Sequence, residues 1–241
     1  MDLLMLGTGG GFYKKLYPNN ALLDLNGYRL LIDCGSTATR SLHELGLSWE
    51  KDIDGVLVTH LHSGHVGGLE EIALDGKFKY KKKIDLFAAE DLLDPLWEHC
   101  LKGGTADGPS DRLDDFFNVK PMKHGETVSI HGMPAELVRT LHVPGKSSSG
   151  LRIGPLYYSS DAQFDERLLL ELQERVRFIF HDCSLEPARH HASLDQLATL
   201  PESVQEKIRL MHYSDDPRRY LAHGRIGKMR LLEQHVRYSI S

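Results

Sequence analysis

The sequence predicts an α/β fold, and two observations support this class. Of the 241 residues, 41% are hydrophobic, which is enough for a large buried core. The charged fraction of 26% is ordinary for a globular protein. Short apolar runs, such as residues 53–59 and 84–88, alternate with segments of helical spacing, such as residues 37–47 and 165–175. The length suits one large domain or two small ones. Because no low-complexity linker or internal repeat divides the chain, we expect one domain over residues 1–241.

The first strands are identified by the turns that follow them. Residues 3–6 form a buried strand that runs into the glycine-rich turn of residues 7–11. Two apolar runs, residues 21–25 and 28–33, flank Asn26-Gly27, a dipeptide typical of two-residue hairpin turns. Further strands are expected at residues 53–59, 84–88, 128–130, 136–141, 150–159, 177–180 and 208–211. Helices are expected at residues 37–47, 66–74, 90–101, 165–175, 193–199 and 202–206, with a loop at 102–112. The tail after residue 217 is expected to begin as a helix, with one last strand as a candidate beyond it.

Potential metal ligands follow several of these strands at the point where each strand ends. Side chains at strand ends converge when the strands share one edge of a sheet. The sequence therefore predicts a polar site at one end of the fold. The residues concerned are His60, His142, Asp161, His181 and His212.

The densest group of histidines lies in the segment THLHSGH, residues 59–65. His60 and His62 are two residues apart, so they point the same way from an extended backbone, and His65 follows in the turn. Three imidazoles this close together suit zinc or a similar borderline metal. The alternative, a solvated histidine-rich loop, is weaker because the segment comes directly after a buried strand.

Charge, cysteine content and hydropathy exclude several classes of protein. The net charge of −5 lacks the basic excess of a general nucleic-acid binder, so no stable nucleic-acid partner is expected. Cys34, Cys100 and Cys183 are widely separated, which argues against disulfides or a thiolate zinc site and favours buried reduced thiols. We find no signal-peptide pattern and no apolar run of about 20 residues, so we expect a cytoplasmic protein without a membrane span.

The segment THLHSGH resembles the H-x-H-x-D-H signature of the metallo-β-lactamase superfamily. The resemblance runs from LGTGG through LLIDCG to LMHY, and it implies an αββα sandwich of two mixed β-sheets flanked by helices. It also implies two divalent metal ions, most simply zinc with manganese as the alternative, and a bridging carboxylate at Asp161. Carried over to this sequence, the first ion has His60, His62, His142 and Asp161, and the second has His65, Asp161 and His212.

One position departs from that signature. The motif aspartate, which binds the second metal in the superfamily, is replaced here by Gly64. Glycine has no side chain and provides no ligand, so the second ion is expected to bind more weakly. The sequence leaves open whether Gly64 is a natural variant, a degenerate site or a disarming substitution.

A second pair of segments narrows the resemblance to the ribonuclease Z branch. His181-Asp182-Cys183 and His191-Ala192-Ser193 resemble the His-Glu and His-Ser-Thr elements of those enzymes. The resemblance implies that Asp182 and His191 act in proton transfer. The alternatives are a helix-capping carboxylate at Asp182 and a surface histidine at His191, with His190 as a competing choice for the second role.

The longer strings FHDCSLEPARHHASLDQL and LPESVQEKIRLMHYSDD resemble the anti-Pycsar phosphodiesterases of phages and their bacterial relatives. Members of that family hydrolyse cyclic nucleotide monophosphates such as cyclic CMP and cyclic UMP, and they work as homodimers. The resemblance implies the same substrates, the same assembly and attack by a metal-bound hydroxide. Two other functions stay open: tRNA 3′ processing of the ribonuclease Z type, and nucleotide binding without turnover because of Gly64.

Four weaker features complete the analysis. Asp33 is expected to support a ligand histidine rather than to bind metal. The loop of residues 9–15 is either a simple turn or a source of backbone amides and an aromatic ring for a nucleotide. The lysine-rich run of residues 79–83 is typical of a solvated edge. The isolated histidines are expected to be structural or on the surface: His43, His99, His124, His131, His223 and His235.

Overall fold

The computed structural model describes residues 1–185, 187–222, 224 and 226–240, so that His223 lies outside the described residues. Two seven-stranded mixed β-sheets form the centre of the molecule, and the strands are numbered β1–β14 in chain order. The first sheet has the strand order β14-β1-β2-β3-β4-β5-β6. Its strands are β1 (Asp2–Gly7), β2 (Asn20–Leu25), β3 (Tyr28–Ile32), β4 (Gly55–Val58), β5 (Asp85–Ala89), β6 (Asn118–Met122) and β14 (Arg237–Ser239).

The second sheet has the strand order β13-β12-β11-β10-β9-β8-β7. In each sheet, antiparallel hairpins on one side continue into parallel strands on the other, with β3–β6 parallel in the first and β10–β13 parallel in the second. The strands of this sheet are β7 (Thr127–Ile130), β8 (Met133–Arg139), β9 (Ser149–Ile153), β10 (Leu156–Tyr158), β11 (Phe178–Asp182), β12 (Ile208–Met211) and β13 (Arg230–Leu231).

Helices flank the two sheets. In the described part of the chain, none of them has the length and apolar character that crossing a lipid bilayer requires. Short π-helical segments, Asp75–Tyr80 and Trp97–Leu101, and the 3-10 turn Leu113–Asp115 extend or connect them. The α-helices are α1 (Ala38–Glu44), α2 (Trp49–Asp52), α3 (Ser63–Val66), α4 (Leu69–Leu74), α5 (Glu90–Leu96), α6 (Lys102–Thr105), α7 (Glu166–Leu172), α8 (Leu194–Leu197), α9 (Glu202–Gln205) and α10 (Arg218–Ala222).

The main hydrophobic core contains side chains from both sheets. Leu3 and Leu57 of the first sheet and Leu137 and Phe180 of the second belong to one continuous buried cluster. Burying each such side chain contributes about 1.5–3 kcal/mol to folding. A second cluster joins the outer face of the second sheet to α7, α8 and α9. The expectation of one domain over residues 1–241 stays a prediction.

Several strands of both sheets end at the same end of the sandwich. A hydrogen bond of 2.8 Å between the Thr59 and Ser160 hydroxyls joins the residue after β4 to the segment after β10. Loops that follow strand ends on a rigid scaffold commonly carry the binding and catalytic side chains of a protein. This end of the sandwich therefore holds the candidate site.

The structure corrects several boundaries expected from the sequence. Residues 150–159 are not one strand, because Gly154, with φ of +51°, turns the chain between β9 and β10. The strand expected at residues 177–180 runs on through His181 and Asp182, and the loop expected at residues 102–112 begins with a helical turn. Strand β6 and helix α2 were not expected at all. Of the three free cysteines, Cys34 and Cys183 are buried, whereas Cys100 is partly exposed.

Candidate metal centre

Three histidine nitrogens converge just beyond β4 and β8. His62 Nδ1 lies 3.1 Å from His60 Nε2 and 3.1 Å from His142 Nε2. A tetrahedral ion with metal–nitrogen distances of about 2.0–2.1 Å holds its ligand nitrogens about 3.3 Å apart. Burial lowers the pKa of all three histidines, most strongly for His60, so their lone pairs are free to bind a cation. The donor set and its spacing therefore fit a divalent metal ion.

Asp161 lies between this group and a second one. Its Oδ1 is 3.3 Å from His65 Nε2, and its Oδ2 is 3.3 Å from His212 Nε2. The same Oδ2 is 3.8 Å from the Nε2 atoms of His60 and His142. Asp161 Oδ1 is buried without a hydrogen-bond partner, which is costly unless a cation binds it. Asp161 is therefore placed to bridge two ions.

The second group, formed by His65 and His212, differs from the first because the pKa values of its histidines are raised instead of lowered. Burial lowers the pKa of His65, but Asp161 and Asp33 outweigh it and raise that pKa to about 10. Burial also lowers the pKa of His212, and the carboxylates of Asp161 and Asp182 raise it to about 9. Burial raises the pKa of Asp161, and the two histidines hold it well below its usual range.

A buried hydrogen-bond network centred on Asp33 contacts histidines of both groups. Asp33 Oδ2 is 2.7 Å from His65 Nδ1, which confirms the expected contact between Asp33 and a histidine of the motif. The Thr59 hydroxyl donates to Asp33 and lies 3.1 Å from His60 Nδ1. The Ser160 hydroxyl has one proton for two acceptors, the Thr59 hydroxyl at 2.8 Å and Asp33 Oδ2 at 3.1 Å. One carboxylate therefore orients ligand candidates of both groups.

The backbone at this end adopts a left-handed conformation at three non-glycine residues. The φ angles are +62° at Asp33, +53° at Ser160 and +62° at His212. Such angles are uncommon for residues with a side chain, and they cluster at functional sites where packing enforces them. Here they direct side chains from strand ends toward a common point.

The pair expected to move protons is in contact. His191 Nδ1 lies 2.6 Å from Asp182 Oδ2, and Asp182 is fully buried. His190 instead faces the backbone of His142, with its Nδ1 3.0 Å from that carbonyl oxygen. Of the two neighbouring histidines, His191 is therefore the one that the geometry joins to the carboxylate. The structure brings together all eight residues singled out as ligands or proton carriers.

Gly64 lies in α3 beside the second group. A β-carbon at this position would meet Pro18 Cβ at 3.4 Å and Cγ at 3.9 Å, which are ordinary contact distances. The φ angle of Gly64 is not in the left-handed range. A β-carbon therefore fits here at ordinary contact distance, and the backbone conformation does not require glycine. Gly35 differs, because its β-carbon would lie 1.9 Å from the Gly64 carbonyl oxygen.

Two cavities open onto the histidines. One, of about 580 Å³, is lined by the second group and by the glycine-rich loop, including Phe12, which is 95% exposed. The other, of about 500 Å³, is also lined by His62 and His142 and extends to Leu92 and Cys100. Either volume can hold a small organic ligand.

Residues 14–16, which follow the glycine-rich turn, are held by Asp215, a residue that the sequence pattern did not single out. Asp215 accepts hydrogen bonds from the backbone amides of Lys14 at 2.9 Å, Lys15 at 2.8 Å and Leu16 at 3.2 Å. The sequence signal was the pair of aspartates that closes HYSDD.

In the lysine-rich run, Lys82 Nζ donates to the carbonyl oxygens of Glu50 and Ile53 at 2.7 and 3.0 Å, so this amine is used by the fold itself.

Comparison with known proteins gives the same assignment along the whole chain. The family described as Anti-Pycsar protein Apyc1 matches residues 1–238. A protein of that name from Paenibacillus xerothermodurans is 47% identical over 248 residues, covering 100% of this chain and 98% of the relative. Another, from Bacillus phage vB_BveM-Goe7, is 42% identical over 250 residues, covering 96% of this chain and 95% of the relative.

Solved structures agree on the fold. A diphosphatase from the PhnP family has a TM-score of 0.80 at 17% identity, covering 100% of this chain and 98% of the other. A metallo-beta-lactamase fold protein from Bacillus subtilis has a TM-score of 0.78 at 13% identity and covers 98% of both chains. Human tRNase Z, short form, has a TM-score of 0.72 at 18% identity over 100% of both. The protein has the metallo-β-lactamase fold, and its chain belongs to the anti-Pycsar Apyc1 family.

Proposed function

We propose that the protein is a metal-dependent phosphodiesterase that hydrolyses cyclic nucleotide monophosphates of the cyclic CMP and cyclic UMP type. One observation carries the proposal: two adjacent groups of potential metal ligands share Asp161 beside a cavity, in a chain of this family. A site of this kind suits a phosphodiester, because two ions can stabilise both the attacking and the leaving oxygen of the displacement at phosphorus.

The proposed ligands follow from the two groups. Bound there, two divalent ions would lower the pKa of a water and offset the negative charge of the phosphate. Imidazole and carboxylate donors suit zinc, with manganese as the alternative. The first ion would be held by His60, His62, His142 and Asp161, and the second by His65, Asp161 and His212.

The proton for the leaving 3′-oxygen is assigned to His191. Its Nδ1 is bonded to Asp182, which leaves Nε2 as the nitrogen that can face the substrate. A protonated imidazole in this position can give its Nε2 proton to the alkoxide as the bond to phosphorus breaks. Phe12 and Tyr13 line the same cavity and offer aromatic faces for a base.

The cellular setting and the assembly are part of the proposal. The three cysteines are free, which is consistent with a reducing cytosol. A homodimer is proposed from the family resemblance, and light scattering on the purified protein tests it by mass. A mass equal to one chain across the working concentration range would contradict the dimer.

The test of function measures turnover of cyclic CMP, cyclic UMP and cyclic AMP by the protein and by Gly64→Asp, with metal counted in both. Cleavage by the unchanged protein supports the proposal as it stands. Cleavage by neither, with two metals bound in both, overturns the substrate class. A precursor tRNA included in the same assay tests the ribonuclease Z alternative directly.

A second function is favoured by Gly64 itself. With one ligand fewer at the second ion, the protein would bind a cyclic nucleotide and release it unchanged. Calorimetric binding of cyclic CMP without turnover, together with turnover by Gly64→Asp, would establish this role. Turnover by the unchanged protein at a rate similar to that of Gly64→Asp would exclude it.

A further inference from the structure

Asp182 makes more contacts than a partner of His191 alone requires. It lies at the carboxyl end of β11 and is fully buried. Its Oδ2 is 2.6 Å from His191 Nδ1 and accepts a hydrogen bond of 2.9 Å from the Ala162 backbone amide. Its Oδ1 is 3.3 Å from His212 Nδ1. Both oxygens of this carboxylate are therefore directed at parts of the candidate metal centre.

The contact to His212 has the arrangement of an outer-sphere partner of a metal ligand. His212 faces Asp182 with Nδ1 and faces Asp161 with Nε2, at 3.3 Å in each case. Ligand histidines commonly give their second ring N–H to a carboxylate, which fixes the tautomer and the ring orientation. With Nδ1 protonated toward Asp182, Nε2 is the nitrogen left to bind an ion.

The two histidines on this carboxylate are also aligned with each other. The rings of His191 and His212 are stacked, with centroids 4.4 Å apart and an angle of 19° between planes. The carboxylate has one oxygen hydrogen-bonded to His191 and the other, which makes no hydrogen bond, at ion-pair distance from His212. The hydrogen bond from the Ala162 amide to Asp182 also holds the backbone next to Asp161, because Ala162 directly follows Asp161 in the chain.

We propose that Asp182 is a positioning residue for the second metal ion as well as for His191. It orients His212 and the Asp161 segment, so that one buried side chain controls metal affinity and the alignment of the proton donor. This inference rests on the proposed function, because it takes His212 as a metal ligand. Its effect is enlarged here, since Gly64 leaves the second ion with fewer protein ligands to hold it.

The expected size of the effect follows from outer-sphere partners in other metal sites, whose loss costs roughly 10–100-fold in metal affinity. Asparagine at position 182 has one acceptor oxygen instead of two. It cannot accept from both histidines, and its amide N–H₂ would face one ring nitrogen that already carries a proton. Asp182→Asn should therefore weaken the second ion about 10–100-fold.

The experiment titrates metal-free full-length protein with Co²⁺ and follows the visible absorption of each site, without any nucleotide present. In Asp182→Asn the second, weaker binding step should move to a cobalt concentration about 10–100-fold higher. His191→Ala should keep both steps within about twofold while losing turnover by roughly 10²–10⁴-fold. Asp165→Asn is the matched control, because this exposed carboxylate caps α7 through the Leu168 amide and lies outside the centre. Its titration should equal that of the unchanged protein.

A double variant separates lost positioning from a lost fold. Gly64→Asp combined with Asp182→Asn should return the second binding step to a lower cobalt concentration while turnover stays low. Equal cobalt affinity in Asp182→Asn and in the unchanged protein would overturn the proposal, since Asp182 would then act through His191 alone. Loss of the second step in His191→Ala would overturn it too, because His191 would itself be a ligand. Since no substrate enters the titration, a wrong substrate class leaves these outcomes unaffected.

Discussion

The two halves of the candidate metal centre share Asp161 but differ in how their histidines are charged and held. The first half consists of histidines whose pKa values burial lowers, and they meet as neutral nitrogens 3.1 Å apart. The second half consists of histidines whose pKa values buried carboxylates raise, to about 10 for His65 and about 9 for His212. The first half is therefore ready for a cation, whereas the second must release protons before it can bind one.

The difference teaches where the centre is sensitive to change. In the first half, the nitrogens are placed by the ends of β4 and β8, and the Thr59 hydroxyl lies behind His60. In the second half, orientation depends on Asp33 and Asp182, each of which serves several partners. Gly64 removes a ligand from the same half. The second ion should consequently respond more strongly than the first to substitution and to pH.

The largest effect is expected from the residue that both halves share. Asp161→Ala should lose both ions, whereas His60→Ala should lose the first ion and keep a weakened second one. Turnover should fall in each case by more than the roughly 100-fold that loss of an outer partner costs. Metal counting by mass spectrometry, with turnover measured on the same samples, checks this. Full metal and full turnover in either variant would show that the site has been placed wrongly.

A smaller effect in the opposite direction is expected at Gly64. Gly64→Asp should raise second-ion affinity by about tenfold or more, since a direct ligand should exceed the lower end of outer-partner effects. The turnover rate should rise with it. Gly64→Ala is the control, because it adds a β-carbon and about 1 kcal/mol of helix propensity without a ligand. If alanine raises second-ion affinity as much as aspartate does, the gain is structural and another group already completes the site.

The pH dependence of metal binding should separate the two halves. Since His65 and His212 hold protons below about pH 10 and 9, affinity for the second ion should rise with pH between 6 and 8. The gain is about tenfold per pH unit for each proton released. The first ion should change little above pH 7, because the pKa values of its histidines are lowered. Cobalt titrations at pH 6, 7 and 8 measure both slopes, and equal slopes would remove the distinction.

The smallest effect is expected at the rim of the second cavity. Asp215→Asn weakens the hydrogen bonds to the Lys14, Lys15 and Leu16 amides, so the loop carrying Phe12 should move more freely. We expect KM for cyclic nucleotides to rise about threefold to tenfold, matching roughly 1 kcal/mol of lost hydrogen bonding. Metal content should stay the same. A change in metal content with unaltered KM would place the loop's role in the centre instead.

Sequence patterns predicted the parts of the fold that depend on local order. The hairpin at Asn26-Gly27 is confirmed by the pairing of β2 with β3. The apolar run before His60 is confirmed as β4. Strand β6 was missed because it is largely exposed and contains Pro121, so it shows neither a buried run nor a strand propensity. The Gly103-Gly104 pair similarly concealed the helical turn of α6.

In the candidate metal centre, too, sequence patterns predicted the residues that are close in the chain and missed the contacts between distant ones. His60, His62 and His65 are close in sequence, so their spacing alone predicts a metal site. The contact of Asp182 with His212 spans 30 positions of the chain and depends on how β11 pairs with β12. Neither residue signals the other in the sequence. Groups that act through tertiary contacts, Asp215 among them, become visible only once the strands are placed.

The left-handed backbone at Asp33, Ser160 and His212 has a consequence for the lifetime of the protein. Conformations of this kind cost on the order of 1 kcal/mol or more each, and they persist only where surrounding interactions enforce them. Ligands that bind the native state alone stabilise it by mass action. We therefore expect the metal-free chain to be the more easily unfolded form and the one that a protease cleaves sooner.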